Sequence, residues 1–141
     1  MKIHKFIVAF VQLETAIRLF LDDKNYLCAI TLAGAAEEIF GTYAKRLNEE
    51  TAYNLLCDGL QKDIKHTFTK KEIGQKFINY HRNELKHFDE GQPEEFEIDP
   101  EFEAISLIIR ASINMSSYKI MTENIKDFSK WIRENRPDLI G

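Results

Sequence analysis

From Ile3 to Leu21 the apolar residues Ile3, Phe6, Ile7, Phe10, Leu13, Ile17, Phe20 and Leu21 recur at three- and four-residue steps, the spacing of one helix face. Asp22-Asp23-Lys24-Asn25 interrupts the run. A second follows, with Ala29, Ala33, Ala36, Phe40, Tyr43, Ala44 and Leu47 on one side. Its centre, Ala33-Gly34-Ala35-Ala36, is small all round, and Gly in a helix interior costs about 1 kcal/mol against Ala; Gly34 therefore predicts close approach by a neighbouring helix. Thr51 can cap a third, shorter helix through Leu55, Leu56 and Leu60 to about Ile64.

Thr69-Lys70-Lys71-Glu72 has the form of a capping box, in which hydroxyl and carboxylate each satisfy an unpaired backbone donor. A fourth helix is expected from there, with Ile73, Phe77, Ile78, Leu85 and Phe88 inward, ending near Gly91. Asp99-Pro100-Glu101 supplies a cap, a first-turn proline and a first-turn carboxylate for a long fifth helix through Phe102, Ile105, Ile108, Ile109, Ile113 and Met121. Ser112, Asn114, Ser116 and Ser117 make its middle polar. A last helix carries Ile125, Phe128, Trp131 and Ile132 and ends before Pro137.

With 44% hydrophobic residues and only three prolines and six glycines in 141 positions, the chain suits a few long elements around one core. The expectation is an all-α, up-and-down bundle of four main helices plus one or two more, a single domain over residues 1–141. Glu14 and Arg18 interrupt the apolar start, and no stretch reaches the roughly 18 uninterrupted apolar residues of a membrane span. Cys28 and Cys57 are isolated, as reduced thiols packed like small apolar side chains would be. A cytoplasmic location with no membrane association is expected.

The signatures of P-loop, dinucleotide, zinc-protease and serine-hydrolase sites are missing from the sequence, so no metal or other cofactor is expected. A net charge of −4 disfavours a broad electrostatic grip on nucleic acid. It hides an asymmetry: residues 62 to 87 hold seven Lys or Arg (Lys62, Lys65, Lys70, Lys71, Lys76, Arg82, Lys86) against Asp63, Glu72 and Glu84. A phosphate site, if present, belongs here.

On a regular helix of 3.6 residues per turn with Phe77 at the origin, His81 falls at about 40° among the core positions, as a partly buried histidine with a hydrogen-bond partner. Asn83, Lys76, His87 and Tyr80 share the opposite stripe. Arg82 lies at about 140° and His87 at about 280°, so a straight helix turns them apart. They can converge only if Arg82 reaches round, the helix loosens near His87, or a second subunit completes the site.

The segment Arg82-Asn83-Glu84-Leu85-Lys86-His87 matches the R-x4-6-H motif of the HEPN family, including the polar residue directly after the Arg. The chain from residue 1 to about 130 resembles a HEPN domain: a helical bundle, a helical hairpin, then the motif late in a core helix. Thr31-Leu32-Ala33-Gly34-Ala35-Ala36-Glu37-Glu38 is similar to small bacterial proteins of this group. The resemblance implies a metal-independent endoribonuclease acting as a homodimer, in many members the toxin of a toxin–antitoxin pair. Arg82, Asn83 and His87 would then be catalytic. The histidine, whose unperturbed pKa is about 6.5, moves a proton near neutral pH, the guanidinium stabilises charge on phosphorus, and Asn83 orients imidazole or phosphate.

Lys76, Tyr80 and Lys86 would contact substrate, with Tyr80 stacking a base or donating to phosphate. Glu37, at the border of the second helix's core face, could pair with Arg82 and fix its rotamer, or simply face solvent. Two alternatives stand beside catalysis. One is a HEPN-like module that binds a nucleotide, an RNA or a partner protein, such as an antitoxin or a nucleotidyltransferase, without cleaving. The other is a structural bundle with Arg82 and His87 on its surface.

Overall fold

The computed structural model describes residues 1–63 and 69–140, except the side chains of 60–63, 70 and 77; the expected places of Leu60, Ile64 and Phe77 and the cations Lys62, Lys65 and Lys70 lie outside what it describes. All regular elements among the described residues are helical. Helix α1 spans Lys5–Asp23 and α2 Tyr26–Arg46, turned by Lys24 in the left-handed conformation (φ 51°) and started by Asn25, whose side chain accepts from the Cys28 amide. Helix α3 runs Ala52–Asp63 behind the Thr51 cap. Short α4 (Lys70–Ile73), a π turn (Gly74–Ile78) and short α5 (Tyr80–Glu84) follow. Helix α6 spans Pro100–Ser116 and α7 Glu123–Asn135, before a 3-10 turn at Pro137–Leu139.

The four long helices α1, α2, α6 and α7 form the all-helical bundle. Helix α2 packs along α6 on one side and α1 on the other, while α7 closes on α1. The small stripe Ala29, Ala33, Ala36, Ala44 lets α2 be sandwiched, and Leu13, Ile17, Phe20, Ile30, Phe40, Ile105, Ile108 and Met115 fill the space. Each large buried apolar side chain contributes roughly 1.5–3 kcal/mol. Aromatic clusters fasten both ends: Phe20 meets Tyr26, Phe128 and Trp131 with ring centroids 4.8–5.4 Å apart, and Phe6 meets Phe40, Tyr43 and Tyr118 at 5.1–5.3 Å.

The caps at Thr69, Asp99 and Thr122 form as their sequences require. The Thr69 bonds hold the exposed Glu72 carboxyl below its ordinary pKa. Several apolar positions differ from the sequence reading. Ile3, which precedes α1, and Ile7, at the edge of its stripe, are exposed, as are Leu47 beyond the end of α2 and Leu55 and Leu56 on α3. Helix α6 stops at Ser116, and Lys119 (φ 57°) turns the chain, so Met121 lies outside it and exposed; Phe102, Ile109 and Ile113 sit on its outer side.

The largest difference is in the fourth segment. No single helix runs from Thr69 to Gly91. The Asn79 amide bonds back to the Gly74 carbonyl at 2.8 Å, an i→i+5 closure that puts one extra residue into the turn, and α5 ends at Glu84. Phe88, expected inward, is 67% exposed. No helix among the described residues is long and apolar enough to cross a membrane.

Candidate functional site

The extra residue of the π turn rotates everything after it by about 100°. Arg82 thereby takes the inward direction that the regular wheel gave to His81. Its aliphatic stem lies across Gly34 of α2: a Cβ there would sit 2.5 Å from Arg82 Cδ and 3.1 Å from Cγ. The close approach that Gly34 announced is thus made by a side chain of α5 and not by a helix backbone. Gly34→Ala should lower stability by about 1–3 kcal/mol by overpacking, despite the roughly 1 kcal/mol gain in helix propensity, because the stem cannot move without drawing its guanidinium off its partners. Thermal unfolding checks this; a stabilised variant would mean that the stem is free to shift.

The Arg82 guanidinium is spread between two carboxylates. Its Nη1 donates to Glu37 Oε2 at 3.3 Å, and its Nη2 lies 2.7 Å from Glu38 Oε1. Glu37 is itself shared, since Arg110 Nη2 donates to Glu37 Oε1 at 3.1 Å and to Asn79 Oδ1 at 3.2 Å. The side chains of Arg82, Arg110 and Glu37 are 4–7% exposed, that of Glu38 54%. The cluster is tied to the scaffold through Asn114, whose Nδ2 donates to the Glu37 carbonyl and whose Oδ1 accepts from the Ala52 amide. The Nε atoms of Arg82 and Arg110 are buried without a partner.

Beside this cluster opens a cleft of about 240 Å³ whose lining includes Glu38, Thr42, Lys45, Tyr53, Asn79 and Arg82. Burial, followed by the nearby Cys57 thiol, pushes the Tyr53 phenol above its ordinary pKa, against the opposing pull of Arg110 and Arg82. It remains a neutral donor across the physiological range. A Cβ on Gly74 would overlap the Tyr53 hydroxyl, so the π turn and the cleft wall fit each other. Gly74→Ala is expected to cost about 1–3 kcal/mol, and much of that cost should vanish in a Tyr53→Ala background; equal losses in both backgrounds, measured in urea, would disprove the fit.

The remaining sequence candidates lie on the outside. His87 follows the end of α5, held by a bond from its amide to the Asn83 carbonyl at 3.0 Å, and is exposed. Asn83 is half-buried, and Lys86 is exposed. Tyr80, 40% exposed, packs edge-on against His81, and Lys76 lies 3.9 Å from Glu72. His81 Nδ1 is 2.8 Å from Glu103 Oε1. Within one copy, then, Arg82 and Glu37 meet in the interior, while His87, Tyr80, Lys76 and Lys86 are exposed.

Glu38, Asn79, Arg110, Tyr53 and Lys45 had not been singled out from sequence, and Asn114 only as one of the polar residues in the middle of the fifth helix. For two of them a signal existed: Glu103, Arg110 and Asn114 stand at steps of seven and four, polar positions on one side of an otherwise apolar helix. Among the described residues, no group of His, Cys, Asp and Glu is arranged to hold a metal ion. Comparison with family models, curated proteins and solved structures finds no match.

Proposed function

We propose that the chain is a HEPN-like, metal-independent endoribonuclease acting as a homodimer, in which Arg82 of one subunit and His87 of the other meet over one phosphate. The observation that supports this most is the fixed guanidinium: Arg82 is buried in an ion-pair cluster, with one arm of its fork directed to a half-exposed carboxylate beside an open cleft. A cation so held has its position set before negative charge develops in front of it. His87 sits on an exposed segment past the helix end, where a second copy can reach it.

In this reading the RNA 2′-hydroxyl loses its proton to an imidazole and attacks the adjacent phosphorus. The bond to the 5′-oxygen breaks and that oxygen takes up a proton, leaving a 2′,3′-cyclic phosphate and a 5′-hydroxyl. His87 moves the proton. Arg82 bears the charge of the phosphorane, Asn83 orients the imidazole, and Lys76, Tyr80 and Lys86 supply cations and an aromatic face to the strand. A cytoplasmic toxin held in check by an antitoxin or a nucleotidyltransferase-like partner fits such an activity.

One observation favours a second reading, a HEPN-like module that binds a nucleotide, an RNA or a protein without cutting: both terminal nitrogens of Arg82 are already engaged by carboxylates. RNA incubated with the protein in excess chelator separates the two. Cleavage that survives chelation and disappears in His87→Ala supports the nuclease; binding without cleavage supports the module.

A further inference from the structure

We propose that Glu38 is a built-in competitor for the anion that Arg82 receives: its carboxylate stands where a phosphate group of a ligand would stand, and the ligand must displace it. This deepens the reading above and rests on it only in assigning Arg82 to a phosphate. The charges carry the inference. The buried part of the cluster holds two guanidiniums, Arg82 and Arg110, and one carboxylate, Glu37. Glu37 is shared between them, so the buried group has one positive charge too many. A buried charge left uncompensated is expensive, and the missing negative charge comes from Glu38.

Glu38 differs from Glu37 in that its side chain is 54% exposed, against 4%. It can swing into water at little desolvation cost, where Glu37 cannot. Its withdrawal leaves an arm of the Arg82 fork directed at the cleft, with Lys45 among the residues that line it. The freed arm of Arg82 and the Lys45 ammonium therefore offer two cations and their N–H donors to the incoming oxygens. A phosphate monoester or diester meets this demand as a negatively charged acceptor of several hydrogen bonds, and its geometry suits the guanidinium fork as a carboxylate's does. The cleft has a volume of about 240 Å³.

The test is a calorimetric titration of the full chain and of Glu38→Gln with two probes, inorganic phosphate and a dinucleotide diester blocked at the 2′-oxygen. Both arms report on binding without cleavage, so failure here and failure of the nuclease reading are distinguishable. Glu38→Gln should bind at least one probe about tenfold more tightly, the equivalent of about 1.4 kcal/mol and the scale of one hydrogen bond to a charged group. Adding Lys45→Ala should reverse most of that gain. Preference for phosphate identifies a monoester ligand, and preference for the diester identifies an RNA strand. Equal or weaker binding by Glu38→Gln, no binding by either protein, or a gain indifferent to Lys45 each overturns the proposal.

Discussion

Glu37→Ala is expected to cost about 3–5 kcal/mol of folding stability, the loss typical of removing one partner from a buried ion pair. Against a total of roughly 5–15 kcal/mol for a domain, this leaves the variant marginal. The carboxylate accepts from both Arg82 and Arg110 in a setting only 4% exposed, and without it two guanidiniums remain buried, with Glu38 paired to Arg82. The backbone carbonyl of residue 37 still accepts from Asn114, so the loss isolates the side chain's charge. Glu37→Gln keeps the shape and an acceptor oxygen and should lose less. Urea denaturation with matched slopes checks the pair; a loss below about 1 kcal/mol in Glu37→Ala, the scale of an exposed ion pair, would show that the arginines are hydrated.

The same cluster marks the boundary of what the sequence makes legible. Helices α1, α2 and α6 each bury one continuous face, and continuous burial writes a regular period into the residues. The period finds Leu13, Ile17, Phe20, Ala33, Phe40, Ile105 and Ile108, all buried. Between Gly74 and Asn79 that period is suspended by a single extra residue, and nothing in the local sequence states it. The Tyr53 hydroxyl lies against Gly74 at the start of the π turn, a contact made from another helix. With the register shifted by about 100°, Arg82 moves from the flank to the interior and Phe88 loses its place in the core. Arg110 was concealed differently. A charged residue in an apolar stripe is legible only if its partner is known, and Glu37 and Asn79 come from elsewhere in the chain. Glu37 and Gly34 were legible because each broke a local rule, one a carboxylate at the edge of a core face and one a glycine in mid-helix.

His87→Ala should reduce RNA cleavage by about 10²–10⁴, the usual contribution of one proton-transfer group, while leaving the unfolding temperature unchanged, since the side chain is exposed at the end of α5. Arg82→Lys should also lose activity. It keeps a cation beside Glu38 but not the fork that spans two carboxylates. Mixing the two inactive variants tests the two-subunit site directly. Random pairing makes half of the dimers mixed, and a mixed dimer holds one site with intact Arg82 from one protomer and intact His87 from the other. Activity of about one quarter of the unmodified protein should therefore return if the site is shared across a two-fold interface. If each site is built within a single protomer, every site in the mixture lacks one of its two groups and nothing returns. Recovery thus reports on whether the buried Arg82 and the exposed His87 meet across two subunits or within one.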